Sequence, residues 1–290
     1  MSSKPVWFIT GSSGGLGLAL TRYALSQGHR LIATSRNPLR TPELVAEVED
    51  KGGKWLTLDA LWEERSIKET IQQAESIFGH LDIVINNAAY CVLGSTEDIP
   101  DAEVLAQMQV NFLTPLRIMR AVLSGMRKRN SGVILNVSSA QGLCPSPANG
   151  IYAASKAAME AASDALGAEV APFGIRVLIA LPGAFRTNFA NAGALTKPSE
   201  PYYANEHPVG KRLKWIHELG SGSARGDPEK AAKVMFEAAT GEGEFGELIA
   251  KEKFLRVFIG PDCWQVADTK VKELRRTIDA EKDLAGSTDL

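Results

Sequence analysis

Short apolar runs rich in Val, Ile and Leu alternate along the chain with longer segments in which apolar residues recur every three or four positions. The runs at 6–10, 31–35, 55–58, 83–86, 133–137 and 177–181 are continuous, the pattern of strands covered on both faces. Between them the periodic segments at 16–27, 42–50, 63–78, 101–128 and 151–172 predict helices. This alternation predicts an α/β fold, a Rossmann-type doubly wound parallel sheet in a single domain. Ligands of such sheets lie beyond the carboxyl ends of the strands, so the chemistry is sought there.

From 185 to 227 the pattern dissolves into Asn, Gly, Pro, Ser, Tyr and scattered charge. That is too long for an ordinary connection, and the segment 188–226 is expected to be a substrate lid inserted after a core of 1–187. Phe189, Leu195, Tyr202, Tyr203, Leu213 and Trp215 supply its apolar area, with Tyr202 and Tyr203 as candidate substrate contacts. The remainder, 227–290, is expected to hold a helix at 228–240, with Asp227 as N-cap and Pro228 at its first position, and a strand at 254–259. An amphipathic helix at 265–284 follows, striped by Val266, Val271, Leu274, Ile278 and Leu284.

A chain of 290 residues with 44% hydrophobic content can bury a large core. Lys and Arg number 32 against 34 Asp and Glu, which gives no basic field and argues against a nucleic-acid partner. The apolar run at 6–9 is too brief for a signal core or a membrane span, so a cytoplasmic protein with no membrane span is expected. Cys91, Cys144 and Cys263 lie far apart without a CxxC pair or a histidine neighbourhood, so neither a disulfide framework nor a metal site is expected.

The first strand runs into Thr10-Gly11-Ser12-Ser13-Gly14-Gly15-Leu16-Gly17 and then a helix. Glycines there allow a sharp turn and a close approach of backbone N–H groups and the helix dipole to a pyrophosphate. The bare spacing would arise by chance about 0.2 times in such a chain, so its place between strand and helix is what gives it meaning. The second strand ends at Ser35-Arg36, where a dinucleotide fold that prefers NAD carries an acid; Arg36 can instead pair with the 2′-phosphate of NADP. Tyr152 and Lys156, four apart at a helix start, share a face, and a neighbouring ammonium is expected to pull the phenol toward the working pH. Such a pair can protonate a carbonyl oxygen as hydride arrives. Other strands end at Asn86-Asn87-Ala88-Ala89, at Ser138-Ser139, and at Pro182-Gly183 with Thr187 beyond; Asn111 lies in the long helix between.

These elements, in this order over about residues 5 to 190, resemble the short-chain dehydrogenase/reductase family. The resemblance implies that Tyr152 is the general acid/base, that Ser139 orients the substrate oxygen and that Asn111 holds a proton-relay water. Lys156 would bind the nicotinamide ribose. Gly11, Ser12, Ser13, Gly14, Gly15, Leu16 and Gly17, with Asn87, Ala88, Pro182, Gly183 and Thr187, would line the cofactor, and Asp59 would contact the adenine. Arg36 matches the NADP-preferring branch, with hydroxyl help from Ser12 and Ser35. Ala89 replaces the family's usual glycine, a change expected to be tolerated. The expected activity is NADPH-dependent interconversion of a carbonyl and an alcohol on a largely apolar steroid-, retinoid- or polyketide-like small molecule, in a homo-oligomer such as a homodimer. Imine or enone reduction, another reaction on the same fold, or a non-catalytic NADP-binding sensor are the alternatives.

Overall fold

The computed structural model describes residues 4–189, 193–196, 199–202, 204 and 206–287. Seven strands form one parallel sheet: β1 (Val6–Ile9), β2 (Arg30–Ser35), β3 (Lys54–Thr57), β4 (Ile83–Asn86), β6 (Gly132–Val137), β7 (Ile175–Pro182) and β9 (Arg256–Ile259). Their order across the sheet is β3-β2-β1-β4-β6-β7-β9. The chain reverses its direction of winding between β1 and β4, which opens a crevice at the carboxyl ends of those strands. A separate pair, β5 (Val92–Leu93) with β8 (Ala194–Leu195), lies outside this sheet.

Alternation along β1 shows how both faces are filled. Trp7 and Ile9 enter one core with α1 (Gly15–Ser26), α2 (Pro42–Asp50), α9 (Pro228–Thr240) and α10 (Gly243–Glu252), whereas Val6 and Phe8 enter the other. The second core is closed by α3 (Glu64–Phe78), α5 (Thr114–Arg129) and α7 (Gly150–Val170). Trp7 stacks on Phe236 of α9 with centroids 5.4 Å apart, so the segment after the insert is part of the main core.

The segment expected as one helix over 101–128 is α4 (Asp101–Met108) joined to α5 by a widened π turn at Gln109–Leu113. Pro115 has no N–H for the carbonyl four residues back, that of Asn111, and the Thr114 amide bonds Gln109 instead. The turn that carries Asn111 is thus displaced from ordinary helical register. Three further helices complete the chain: the short α6 (Ala140–Leu143), α8 (Pro208–Glu218) and α11 (Pro261–Gly286). α8 is an ordered helix inside the insert, where the sequence pattern predicts none. His207 caps it, accepting from the Val209 amide at 3.2 Å, and Pro208 takes its first position. Cys263 and Ala267 of α11 are buried, while Val271, Leu274, Ile278 and Leu284 are exposed. No helix among the described residues is long and apolar enough to cross a membrane, and none of their His, Cys, Asp and Glu side chains gather into a metal-holding group.

Candidate active site

The loop after β1 is held open from below. Thr10 Oγ1 accepts from the backbone amides of Asn87 and Ala88 at 2.9 and 3.0 Å, and the Asn87 side-chain Nδ2 donates to the Thr10 carbonyl at 2.9 Å, fastening the ends of β1 and β4 together. A Cβ at Gly17 would strike the Gly11 carbonyl and the Asn87 amide, so only glycine lets α1 sit this close. Nothing stands within 4 Å of a Cβ built at Gly14, no side chain caps α1, and its first turn carries no acid. Open backbone donors at a helix N-terminus fit a pyrophosphate. Leu16 packs into the core behind the loop, and Thr187 returns over Gly15, with its Cβ 3.4 Å from where a Gly15 side chain would begin.

Arg36 is exposed at the end of β2 and makes no hydrogen bond or ion pair among the described residues. The hydroxyl help expected around it is differently employed. Ser12 is fully buried: its amide donates to Thr34 at 2.8 Å and its hydroxyl to Ile9 at 3.1 Å. Ser35 is also buried and accepts from the Trp55 indole at 3.0 Å. Both serines are therefore turned into the fold, and the exposed Ser13 is left as the loop hydroxyl. Asp59 accepts from the Leu61 amide at 2.9 Å, which fixes the turn after β3. Gly183 donates to Ile259 at 2.9 Å and lies too close to Asp262 for any side chain, while Asp262 accepts the Ala184 amide at 2.7 Å.

β6 and α7 bring the chemistry together. Lys156 is buried and donates to the Val137 carbonyl at 2.7 Å, its Nζ 5.9 Å from the centre of the Tyr152 ring. Ser139 caps α6, its hydroxyl accepting from the Gln141 amide at 3.2 Å, and it stands beside the Tyr152 phenol closely enough to bear on its ionisation. Burial pushes that phenol well above its ordinary value; Cys91 adds to the rise and Ser139 opposes it. Burial also brings Lys156 down to about 8, against the pull of Glu160. The sequence led to a phenol lowered by its lysine, whereas burial acts on it in the opposite direction here.

Asn111 is fully buried, donating to the Tyr90 carbonyl at 3.0 Å and to Ser155 Oγ at 3.1 Å while accepting the Tyr90 amide at 3.2 Å. It clamps the segment after β4 to α7. Gln107, unremarked in sequence, makes a parallel clamp on Tyr90 and Val92. Glu160 accepts from Ser138 at 2.5 Å and from Arg256 at 3.3 Å, tying the strand end at Ser139 to β9.

The insert lies over the phenol. Phe185 and Gly226 bridge its two ends, and β8 fastens it to β5. Tyr202 donates to Glu97 at 2.6 Å, so it serves as a tether; Tyr203 lies outside the described residues. The Phe189 ring is 5.8 Å from that of Tyr152, and Cys91, Leu93 and Ile216 pack with Tyr152 in one small cluster against Leu213. Of these wall residues, Cys91, Leu93 and Ile216 carry no motif.

Comparison with known proteins places this geometry in context. The short chain dehydrogenase family model matches residues 5–197. The chain is 32% identical to the oxidoreductase BOA17 of Botryotinia fuckeliana over 97% of each chain. It is 37% identical to a 3-ketodihydrosphingosine reductase of Bacteroides thetaiotaomicron, over 67% of this chain and 70% of that one. A crystal structure of a short-chain dehydrogenase from Streptomyces avermitilis superposes over 100% of both chains, with a TM-score of 0.87 and 31% identity.

Proposed function

Because this chain belongs to the short-chain dehydrogenase family, a family of nicotinamide-dependent oxidoreductases, we propose that it is an NADP(H)-dependent enzyme that interconverts a ketone or aldehyde with an alcohol. The observation that carries this reading is the buried Tyr152 phenol beside Ser139, with Lys156 anchored beneath its ring. The bound nicotinamide supplies the hydride. Tyr152 donates its proton to the carbonyl oxygen as negative charge develops there, and Ser139 holds that oxygen in reach. Lys156, anchored on Val137, presents its ammonium beneath the phenol and to the ribose. Asn111 acts by holding Tyr90 and Ser155, and so α7, in place. The open glycine loop receives the pyrophosphate, with Pro182, Gly183 and Thr187 closing the nicotinamide end and Arg36 taking the 2′-phosphate.

The apolar cluster of Cys91, Leu93, Leu213 and Ile216 supports a largely apolar substrate, with the segment 188–226 as its lid. The exposed stripe of Val271, Leu274 and Ile278 on α11 supports a homo-oligomer, read here as working in the cytoplasm. The test is a panel of ketones and aldehydes assayed for oxidation of NADPH and NADH, with the matching alcohols run in reverse. Consumption of NADPH with formation of alcohol is expected; indifference to every carbonyl, or a preference for NADH, would overturn the reading.

A further inference from the structure

The residues of α8 that face the body of the protein recur at 209, 212, 213 and 216, the spacing of a buried stripe. Val209 and Ile216 are buried, and Leu213 packs on the cluster that holds Cys91 and Tyr152. The fourth member of the stripe is Arg212. Its guanidinium lies 4.0 Å over the Trp215 ring, and its Nε is shielded from solvent with no hydrogen-bond partner.

Other partly buried arginines are provided for. Arg256 pairs with Asp164 and Glu160, Arg22 with Glu47, and Arg176 donates to the carbonyls of Ala238 and Ala239. Arg212 has no hydrogen bond or ion pair among the described residues. Cys91, among the described residues the one ionisable group whose field it feels, is no counter-ion, since burial raises that thiol to about 12. Burial lowers the guanidinium itself to about 10, the mark of a cation desolvated without compensation. The undescribed positions of the insert, Ala190, Asn191, Ala192, Lys197, Pro198, Tyr203 and Asn205, include no acid. A fold that half-buries a cation on an apolar stripe with no anion beside it among the described residues leaves its partner to be supplied from outside.

We propose that Arg212 binds a carboxylate on the substrate, so that the enzyme acts on a keto acid, or the matching hydroxy acid, with an apolar body. The proposal rests on the carbonyl-reductase reading above and names its substrate class. The Trp215 ring covers one side of the guanidinium, and its two Nη groups, neither shut from solvent nor hydrogen-bonded, are the ones left to receive both carboxylate oxygens. The apolar body then lies on Leu213 and Ile216, between the carboxylate and the carbonyl presented to Tyr152.

The test uses matched pairs: para-acetylbenzoate, para-acetylcinnamate and a long-chain keto acid, each beside its methyl ester, with para-acetylphenyl phosphate as a second anion. Calorimetry gives the dissociation constant of each from the NADP complex, and NADPH oxidation gives kcat/KM. The wild type is expected to favour at least one acid over its ester by about ten- to a hundredfold, the size of a charge-assisted bidentate contact. Arg212→Met is expected to bring that ratio to about one, and Arg212→Lys to restore part of it. Esters bound as well as acids in every pair, a ratio unchanged in Arg212→Met, or preference for the phosphate over every carboxylate would each overturn the proposal. Should Arg212→Met not fold, the wild-type ratio and Arg212→Lys still decide. Binding of an acid through Arg212 without reduction of any carbonyl would sink the reductase reading while the carboxylate site stands.

Discussion

Arg36 at the end of β2 and Arg212 on α8 both lack a hydrogen bond or ion pair among the described residues, and they are unpaired on different terms. Arg36 is exposed, hydrated, and costs the fold nothing while it waits for a ligand. Arg212 is held on an apolar stripe with its Nε shut away from solvent. The contrast extends to the halves they belong to. The cofactor half is made by backbone, with Thr10, Asn87 and Gly17 locking one loop geometry and leaving bare N–H groups. The half proposed for substrate is made by side chains brought together from β5, α7 and the insert. On the proposed function, a pre-formed half can serve any carrier of the same phosphates, whereas the assembled half would set which carbonyl is reduced.

Tyr152 stands at the junction of the two halves, and its removal should separate them most sharply. Tyr152→Phe keeps the ring and loses the proton, so turnover should fall at least about a hundredfold while NADPH affinity stays nearly constant. Carbonyl reduction near the wild-type rate would take Tyr152 out of the mechanism.

At the cofactor end, Arg36→Ala should weaken NADPH by about ten- to a hundredfold and leave NADH nearly unaffected. Paired titrations by nicotinamide fluorescence measure this, and equal losses for both cofactors would show that Arg36 does not read the 2′-phosphate. A substitution at Ser35 is a poorer probe, because an acid there would be buried against Trp55.

A smaller effect is expected from hydrogen exchange at the substrate end. Amides of α8 should gain protection when substrate joins the NADP complex, while 5–59 should respond to the cofactor alone. Exchange in α8 that ignores substrate would make the insert a static cover.

The mildest effect concerns pH. Lys156 is depressed to about 8 by burial, so its ammonium is lost as pH rises through that value, whereas Tyr152, pushed upward, stays protonated. The rate of carbonyl reduction should therefore decline above about pH 8, and that limb belongs to the lysine. The same depression means that the unfolded chain holds this proton more tightly, so the contribution of Lys156 to stability rises with pH between about 8 and its ordinary value of 10.5. A flat rate profile through pH 9 would contradict the assignment.

The sheet was legible because its strands are continuous apolar runs, and the cofactor half because glycine spacing and strand ends are local features of sequence. Two things were hidden for physical reasons. The π turn at Asn111 depends on a proline four residues later, which a periodicity reading passes over. α8 is a short helix whose inward stripe contains an arginine, so its apolar pattern breaks at the position that makes it informative. The spacing of Val209, Leu213 and Ile216 around Arg212, with Pro208 at the start, was the signal available. The serines misled for a related reason, since a hydroxyl at a strand end can turn inward as readily as toward a ligand, as Ser12 and Ser35 do.

The central claim is that hydride passes to a substrate carbonyl while Tyr152 gives the proton. Mass spectrometry of the product formed from NADPH carrying deuterium at the transferable position of the nicotinamide tests it most directly. An alcohol with one deuterium on the carbinol carbon is expected from the wild type, and almost none of that product from Tyr152→Phe. An unlabelled alcohol, or labelled product formed equally well by both proteins, would contradict it.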